Sequence, residues 1–166
     1  MAKFEIRHRI DCSAADFWEK IFENQEFDTA LYVEALHMDF EMLKWDPETG
    51  ERSSRIVPNL NAPKAVQKVM GDSQTFVETG TYDKAKGIYT FDVTPSTLKG
   101  KLFISGVMHM EPDGDDHCFR VVDFSIEAKI FGVGKIIASV IEKSTKQSYD
   151  KSAKFTNEYL AAGRAG

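Results

Sequence analysis

The sequence predicts one α+β domain in which an antiparallel sheet packs against a long C-terminal helix. Three observations support this prediction: segments in which apolar residues alternate with polar ones, hairpin-like turns between those segments, and a final stretch with helical periodicity. The length of 166 residues suits a single hydrophobic core, because chains divide into separate cores only at greater lengths.

The N-terminal segment predicts a strand followed by a short helix. Residues 3–10 alternate strictly between charged and mostly apolar side chains, which is typical of a half-buried strand. His8 lies on the apolar face of this strand. Ser13 then provides an N-cap for an amphipathic helix that extends to about Phe22.

A second alternating segment begins at Ala35 and predicts a strand that enters a hairpin. It places Leu36, Met38 and Phe40 on one face, and polar residues on the other. The elements expected next are a turn over 46–50, a strand over 52–57 and a short helix over 62–70.

The middle of the chain predicts an antiparallel meander. Four strands are expected, over 74–82, 87–94, 101–111 and 117–130, with turn residues between them. Their inward positions include the large side chains of Tyr89, Phe91, Met108 and Phe124. Arg120 shares the parity of Phe124, so one charged side chain falls on an otherwise apolar face.

The last element is a predicted helix over 135–162, about 40 Å long at 1.5 Å per residue. Apolar residues occur near its two ends, whereas one stripe in its middle carries Ser144, Ser148 and Ser152. Two interpretations are open. The serines line a cavity between helix and sheet, or they allow the helix to lie tightly against large side chains of the sheet.

The element order resembles the helix-grip fold of the START-like superfamily, in which a curved sheet wraps around the last helix. More narrowly, the segment 57–66 before Gly71 and the segment 130–137 that opens the terminal helix resemble a START-related family with no assigned function. This resemblance implies about seven strands in the order β-α-β6-α. No catalytic motif accompanies it.

The resemblance implies that a lipid, sterol, polyketide or similar apolar or amphipathic molecule binds between the sheet and the last helix. Methionines on the inward faces support this expectation, because flexible thioether side chains adapt to a changing occupant. The residues expected to contact the ligand are His8, Met38, Phe40, Tyr89, Phe91, Met108, Arg120, Phe124, Ser144, Ser148 and Ser152.

Two alternatives from other functional classes remain open. An enzyme of the polyketide cyclase or aromatase type would use His8 as acid or base and Arg120 to polarise a carbonyl, with Tyr89 as a further candidate. A protein-interaction module, similar to START-related chaperone activators, would have a filled core and an exposed apolar patch. Leu43 and Trp45 are expected on the outward side of their strand and would belong to that patch.

Composition argues against several other classes. The net charge of −5 disfavours a nucleic-acid partner. We expect no cofactor and no metal, since the four histidines lack the spacing of metal ligands. The most apolar stretch, 131–141, is too short to span a bilayer.

The cysteines and the N-terminus bear on the compartment. Cys12 and Cys118 are too few for a disulfide scaffold. The START-like resemblance implies that the first and last strands are antiparallel neighbours, so we expect the two cysteines to lie near each other as reduced thiols. The N-terminal segment lacks the continuous apolar stretch of a signal peptide, so we expect a cytoplasmic location. The sequence leaves the oligomeric state open.

Overall fold

The computed structural model describes residues 1–71 and 74–166. The strands are β1 (Ala2–Ile10), β2 (Asp39–Trp45), β3 (Glu51–Val57), β4 (Phe76–Asp83), β5 (Ile88–Pro95), β6 (Leu102–Pro112) and β7 (Cys118–Ala128). The helices are α1 (Ala14–Asp16, continuing in π-helical form over Phe17–Phe22), α2 (Gln25–Ala30, continuing likewise over Leu31–Leu36), α3 (Lys64–Met70) and α4 (Gly134–Ala161).

The strands form one antiparallel sheet in the order β1-β7-β6-β5-β4-β3-β2. Strands β2 to β7 follow one another as hairpins or neighbouring strands, and β1 closes the order by pairing with β7. Helix α4 packs against β1, β7 and α2, which leaves room between its middle and the remaining inner face of the sheet. The predicted α+β class, with a curved sheet and a long C-terminal helix, is confirmed.

Helix α4 is anchored near both ends. Ile137 and Ile141 are buried near its N-terminus, and Ala153 and Tyr159 are buried near its C-terminus. Across residues 1–71 and 74–166, no helix combines the length and apolar character that a membrane span requires.

Two glycines shape the inner face of the sheet around Phe91. Gly80 and Gly106 are the cross-strand partners of Phe91 on β4 and β6. A Cβ atom on Gly106 would lie 2.3 Å from Cζ of Phe91, and a Cβ atom on Gly80 would lie 2.8 Å from its Cβ. The lack of a side chain at Gly106 leaves room for the Phe91 ring, and the lack of one at Gly80 leaves room for the Tyr89 ring, whose Cε1 atom would lie 2.5 Å from a Cβ atom there.

The predicted strand start at Ala35 is wrong. Helix α2 continues to Leu36, and His37 ends it with a left-handed conformation at φ 51°. The strand β2 begins only at Asp39. The apparent alternation arose because Leu36, buried at the end of the helix, and Met38, which lies between the helix and β2, are two positions apart.

The predicted outward position of Trp45 is also wrong. A β-bulge shifts the register of β2 between Met42 and Lys44, and this extra residue reverses the alternation beyond it. Trp45 therefore packs edge-to-face against Phe22, with ring centroids 6.1 Å apart. Leu43 remains exposed.

Candidate ligand-binding cavity

A cavity of about 240 Å³ lies between the sheet and the long helix. The sheet contributes Arg52, Ile56, Phe76, Glu78, Tyr89, Phe91, Val93, Ile104, Met108, Arg120 and Phe124. Helix α4 contributes Ile141, Ser144, Thr145, Ser148, Tyr149 and Ser152. The first two helices and adjoining loops contribute Phe17, Ile21, Phe22, Phe27, Asp28, Leu31, Tyr32, Leu36, Met38, Pro58 and Leu60. The cavity is slightly smaller than the roughly 300–1,000 Å³ of common small-molecule sites.

The serine stripe of α4 lines this cavity. Ser144, Ser148 and Ser152 all belong to the wall that the helix provides. Their short side chains leave space opposite the aromatic rings of Phe91 and Phe124 on the sheet. Of the two interpretations open from the sequence, the geometry favours the cavity over tight packing of helix on sheet.

Most of the predicted contact residues line the cavity. They are Met38, Tyr89, Phe91, Met108, Arg120, Phe124, Ser144, Ser148 and Ser152. Their contact with a ligand stays a prediction. The open space also differs from the filled core that the interaction-module alternative requires.

His8 and Phe40 do not line the cavity. Phe40 stacks on Tyr32 with ring centroids 4.4 Å apart and planes at 4° to each other. Tyr32, and not Phe40, lines the cavity. His8 lies where β1 and β7 meet α4, and its Nε2 atom is 2.7 Å from Oδ1 of Asp150. This position does not support the enzyme alternative in which His8 acts as acid or base inside the cavity.

A group of polar side chains, which we call the acidic cluster, lies in the cavity wall formed by β3, β4, β5 and α2. Nη2 of Arg52 is 3.1 Å from Oδ2 of Asp28, and Nη1 donates to the carbonyl oxygen of Phe22 at 3.2 Å. The hydroxyl of Tyr89 donates to Oε2 of Glu78 at 2.9 Å. Arg52, Asp28, Glu78 and Tyr89 make up the cluster.

Burial dominates the protonation of these carboxyl groups. It raises the pKa of Asp28 to about 6, although the charge of Arg52 and the contact with it act in the opposite direction. Burial also raises the pKa of Glu78 against the lowering effects of Arg52 and Tyr89. For Arg52, burial alone would lower the pKa, but the neighbouring Asp28 and Glu78 raise it.

A second polar group, which we call the Arg120 site, lies where β7 meets α4. Nη1 of Arg120 donates to Oγ of Ser152 at 3.0 Å, and Nη2 donates to the carbonyl oxygen of Tyr149 at 3.1 Å. Nη2 also lies 3.5 Å from Nδ1 of His8. The guanidinium carbon is 4.9 Å from the centroid of the Tyr149 ring. Burial lowers the pKa of Arg120, which remains charged at neutral pH.

Sequence reasoning missed three charged residues of the cavity wall: Asp28, Arg52 and Glu78. Two of them carried a usable signal. Arg52 lies on the same face of β3 as Ser54 and Ile56. Glu78 lies on the same face of β4 as the buried Phe76 and Tyr82. The alternation of the strands alone therefore indicates that Arg52 and Glu78 point inward. Asp28 depends on helix α2, which the sequence analysis did not assign.

The two cysteines lie close together, as expected. Cys118 pairs with Ile10 at the end of β1, and Cys12 follows two residues later. Both thiols are free and buried. The contact with Cys118, together with burial, raises the pKa of Cys12.

Solved structures share this fold at low sequence identity. The Zhui aromatase/cyclase from Streptomyces sp. R1128 is 11% identical with a TM-score of 0.65, over 96% of this chain and 95% of that one. A START superfamily protein from Mycobacterium smegmatis is 13% identical with a TM-score of 0.64, over 95% and 98%. Norcoclaurine synthase from Thalictrum flavum, in complex with dopamine and hydroxybenzaldehyde, is 14% identical with a TM-score of 0.64, over 95% and 87%.

At these identities the likeness concerns the fold, and it confirms the START-like architecture predicted from element order. A search of curated proteins finds no match. Residues 5–160 match the model of a protein family described as "Protein of unknown function (DUF2505)".

Proposed function

Because this chain belongs to the DUF2505 family of proteins of unknown function, we propose a function from its cavity: it binds a small hydrophobic or amphipathic ligand between the sheet and α4. The observation that supports this proposal is the serine-lined space opposite the aromatic inner face of the sheet. Well-packed cores hold few voids larger than a water molecule, so a cavity of about 240 Å³ is not a packing defect of ordinary size.

The composition of the wall suits an amphipathic molecule. Apolar and aromatic side chains supply most of the lining, and the acidic cluster and the Arg120 site supply polar contacts at two places. Such a distribution is typical of ligand sites, in which apolar contact gives affinity and a few polar groups fix the orientation. In this proposal Met38, Tyr89, Phe91, Met108 and Phe124 contact the apolar part of the ligand. A cytoplasmic location stays a prediction.

The direct test combines two measurements on the full chain. Native mass spectrometry of protein purified from its own cell extract detects a co-purifying small molecule, which extraction then identifies. Titration with the neutral fluorescent probe N-phenyl-1-naphthylamine measures the affinity of the emptied cavity. We expect a saturable, one-to-one fluorescence increase. The proposal is overturned if the protein purifies empty and the probe does not bind.

The acidic cluster favours a second candidate, an enzyme that transfers protons on a bound apolar substrate. Burial raises the pKa of Asp28 to about 6, so the cavity holds one carboxyl group that exchanges its proton near neutral pH, and beside it Glu78, whose pKa burial also raises, accepts a hydrogen bond from Tyr89. In this candidate a carboxylate removes a proton from a carbon next to a carbonyl, and the carboxylic acid then returns it. Substrate and enzyme are thus restored to the same number of protons.

Hydrogen–deuterium exchange tests this candidate with a defined probe. The simple ketone 2-tetralone in deuterated buffer exchanges its α C–H slowly at neutral pH, and NMR follows the rate with and without protein. A catalysed rate that falls at least roughly tenfold in Glu78→Gln or in Asp28→Asn supports the candidate. A rate that does not depend on these carboxyl groups, in folded variants that still bind N-phenyl-1-naphthylamine, rejects it.

A further inference from the structure

The cavity contains two arginines whose surroundings differ in charge. Arg52 contacts Asp28 and is close enough to Glu78 for that carboxyl group to raise its pKa, so two carboxyl groups lie near its guanidinium. Arg120 instead contacts the hydroxyl of Ser152, a backbone carbonyl and the ring of His8. None of these three partners carries a negative charge.

No carboxylate of the part of the chain that the structure describes lies within 4 Å of a guanidinium nitrogen of Arg120. Asp150 reaches this region through His8, but its side chain is 71% exposed and therefore well screened by water. The residue Arg120 is only 4% exposed, and its Nε atom is buried without a hydrogen-bond partner.

Burial of the Arg120 cation is unfavourable for folding, because its nearest partners are uncharged and the exposed carboxylate of Asp150 offsets the desolvation only in part. The same cation is favourable when an anion enters the cavity. Guanidinium groups bind carboxylates and phosphates through directed, charge-assisted hydrogen bonds. Hydroxyl groups of Ser148 and Ser152 line the same wall of the cavity and add neutral donors.

We propose that the Arg120 site binds the anionic head group, a carboxylate or a similar oxyanion, of an otherwise apolar ligand. This inference rests on the proposed function, because it assigns the polar end of the ligand in the same cavity. The acidic cluster repels that group, and it thereby orients the ligand with its anionic end at α4 and β7. The ligand class is an amphipathic acid and not a neutral sterol or alcohol.

Matched pairs of small molecules test the proposal. The pairs are decanoic acid with 1-decanol, and 2-naphthoic acid with 2-naphthylmethanol, each measured by displacement of N-phenyl-1-naphthylamine at pH 8. We expect the acid of each pair to bind roughly tenfold more tightly than the alcohol, which corresponds to one charge-assisted hydrogen bond. In Arg120→Met this preference disappears, whereas the affinity for the alcohols changes less than about threefold.

Two further variants separate charge from folding. Arg55→Met removes the same charge from the exposed outer face of β3 and keeps the preference for acids. Arg120→Lys retains a cation and keeps part of the preference, so it replaces Arg120→Met if the latter does not fold. Equal affinity of acid and alcohol for the wild-type protein overturns the proposal, as does a preference that survives in Arg120→Met.

The outcomes distinguish this inference from the proposed function on which it rests. If the neutral probe does not bind and native mass spectrometry shows no complex with any of the four compounds, ligand binding itself is rejected. If the probe and the alcohols bind but the acids gain nothing, the cavity binds apolar molecules and only the anionic head group is rejected.

Discussion

Asp28 and Arg52 approach to 3.1 Å between Oδ2 and Nη2 in a part of the cavity wall where both side chains are only 9% exposed. They come from distant parts of the sequence, α2 and β3. The pair brings opposite charges together, but burial still raises the pKa of Asp28 to about 6. The folded protein therefore destabilises the ionised form of this carboxyl group relative to water.

A decrease in stability with rising pH follows from this pKa. Well below pH 3.8 the carboxyl group of Asp28 is protonated in both the folded and the unfolded state. Between about pH 4 and 6 the folded protein retains a proton that the unfolded chain has released, so the free energy of unfolding falls as the pH rises. The change from an ordinary value of 3.8 to about 6 corresponds to about 3 kcal/mol.

Urea unfolding of wild type and Asp28→Asn between pH 4 and 8 measures this effect. Asparagine does not titrate, so the free energy of unfolding of wild type relative to the variant should decrease by roughly 2–2.5 kcal/mol from pH 4 to 7. Asp28→Leu must give the same pH-dependent difference, although its baseline stability differs. A difference that stays constant with pH contradicts the raised pKa.

Filling the serine stripe should reduce binding without unfolding the protein. Ser148→Leu places an apolar side chain in the cavity, so we expect the affinity for N-phenyl-1-naphthylamine to fall by roughly tenfold or more. The thermal midpoint should stay the same or rise, because the added side chain occupies empty space. Gln147→Leu makes a comparable change at an exposed position of α4 and should leave the affinity unchanged. Wild-type affinity in a folded Ser148→Leu protein would place the ligand elsewhere.

The position of Phe91 predicts a coupling with Gly106. A methyl group at Gly106 would meet the Phe91 ring at 2.3 Å, so Gly106→Ala must displace the ring toward the cavity. We expect a loss of stability of roughly 1–3 kcal/mol, together with weaker probe binding. Phe91→Leu removes the ring that the new methyl group meets, so in that background Gly106→Ala should be less costly. Additive effects of the two substitutions in a double-mutant cycle would show that the ring and the glycine are independent.

The strands and the long helix were predictable because each depends on a local pattern, whereas the pairing of β1 with β7 was expected only from the resemblance to the START-like superfamily. Alternation in 3–10 and in the four later strands reflects a sheet with one buried face, and it does not depend on how the individual side chains pack. Where local pattern and tertiary structure disagree, the prediction failed. The strand expected at Ala35 was the end of helix α2, and one bulge residue, Leu43, reversed the face of Trp45.

The cavity residues were predictable on the sheet and on α4, where parity and helical spacing are regular. Tyr89, Phe124 and Ser148 line the wall for this reason. The acidic cluster was not predicted, because it joins Asp28 of an unassigned helix to charged residues on two strands. A contact between distant segments has no local signature, and only the fold brings it together.

The acidic cluster also predicts a strong dependence of stability on Arg52. Replacement of this residue by methionine keeps a similar volume but leaves Asp28 and Glu78 without their cation. Breaking a buried ion pair in this way typically costs about 3–5 kcal/mol. On the same strand, Arg55 pairs with Glu41 on the exposed face, so Arg55→Met should cost less than about 1 kcal/mol.

Chemical denaturation of both variants at pH 7 provides the comparison. The loss in Arg52→Met should shrink in the double variant Arg52→Met/Asp28→Asn, since the neutral amide no longer leaves an uncompensated charge in the wall. It should also shrink at pH 4, where the raised pKa values of Asp28 and Glu78 keep both carboxyl groups largely protonated. Equal losses for Arg52→Met and Arg55→Met would mean that the cluster is hydrated and carries no buried charge.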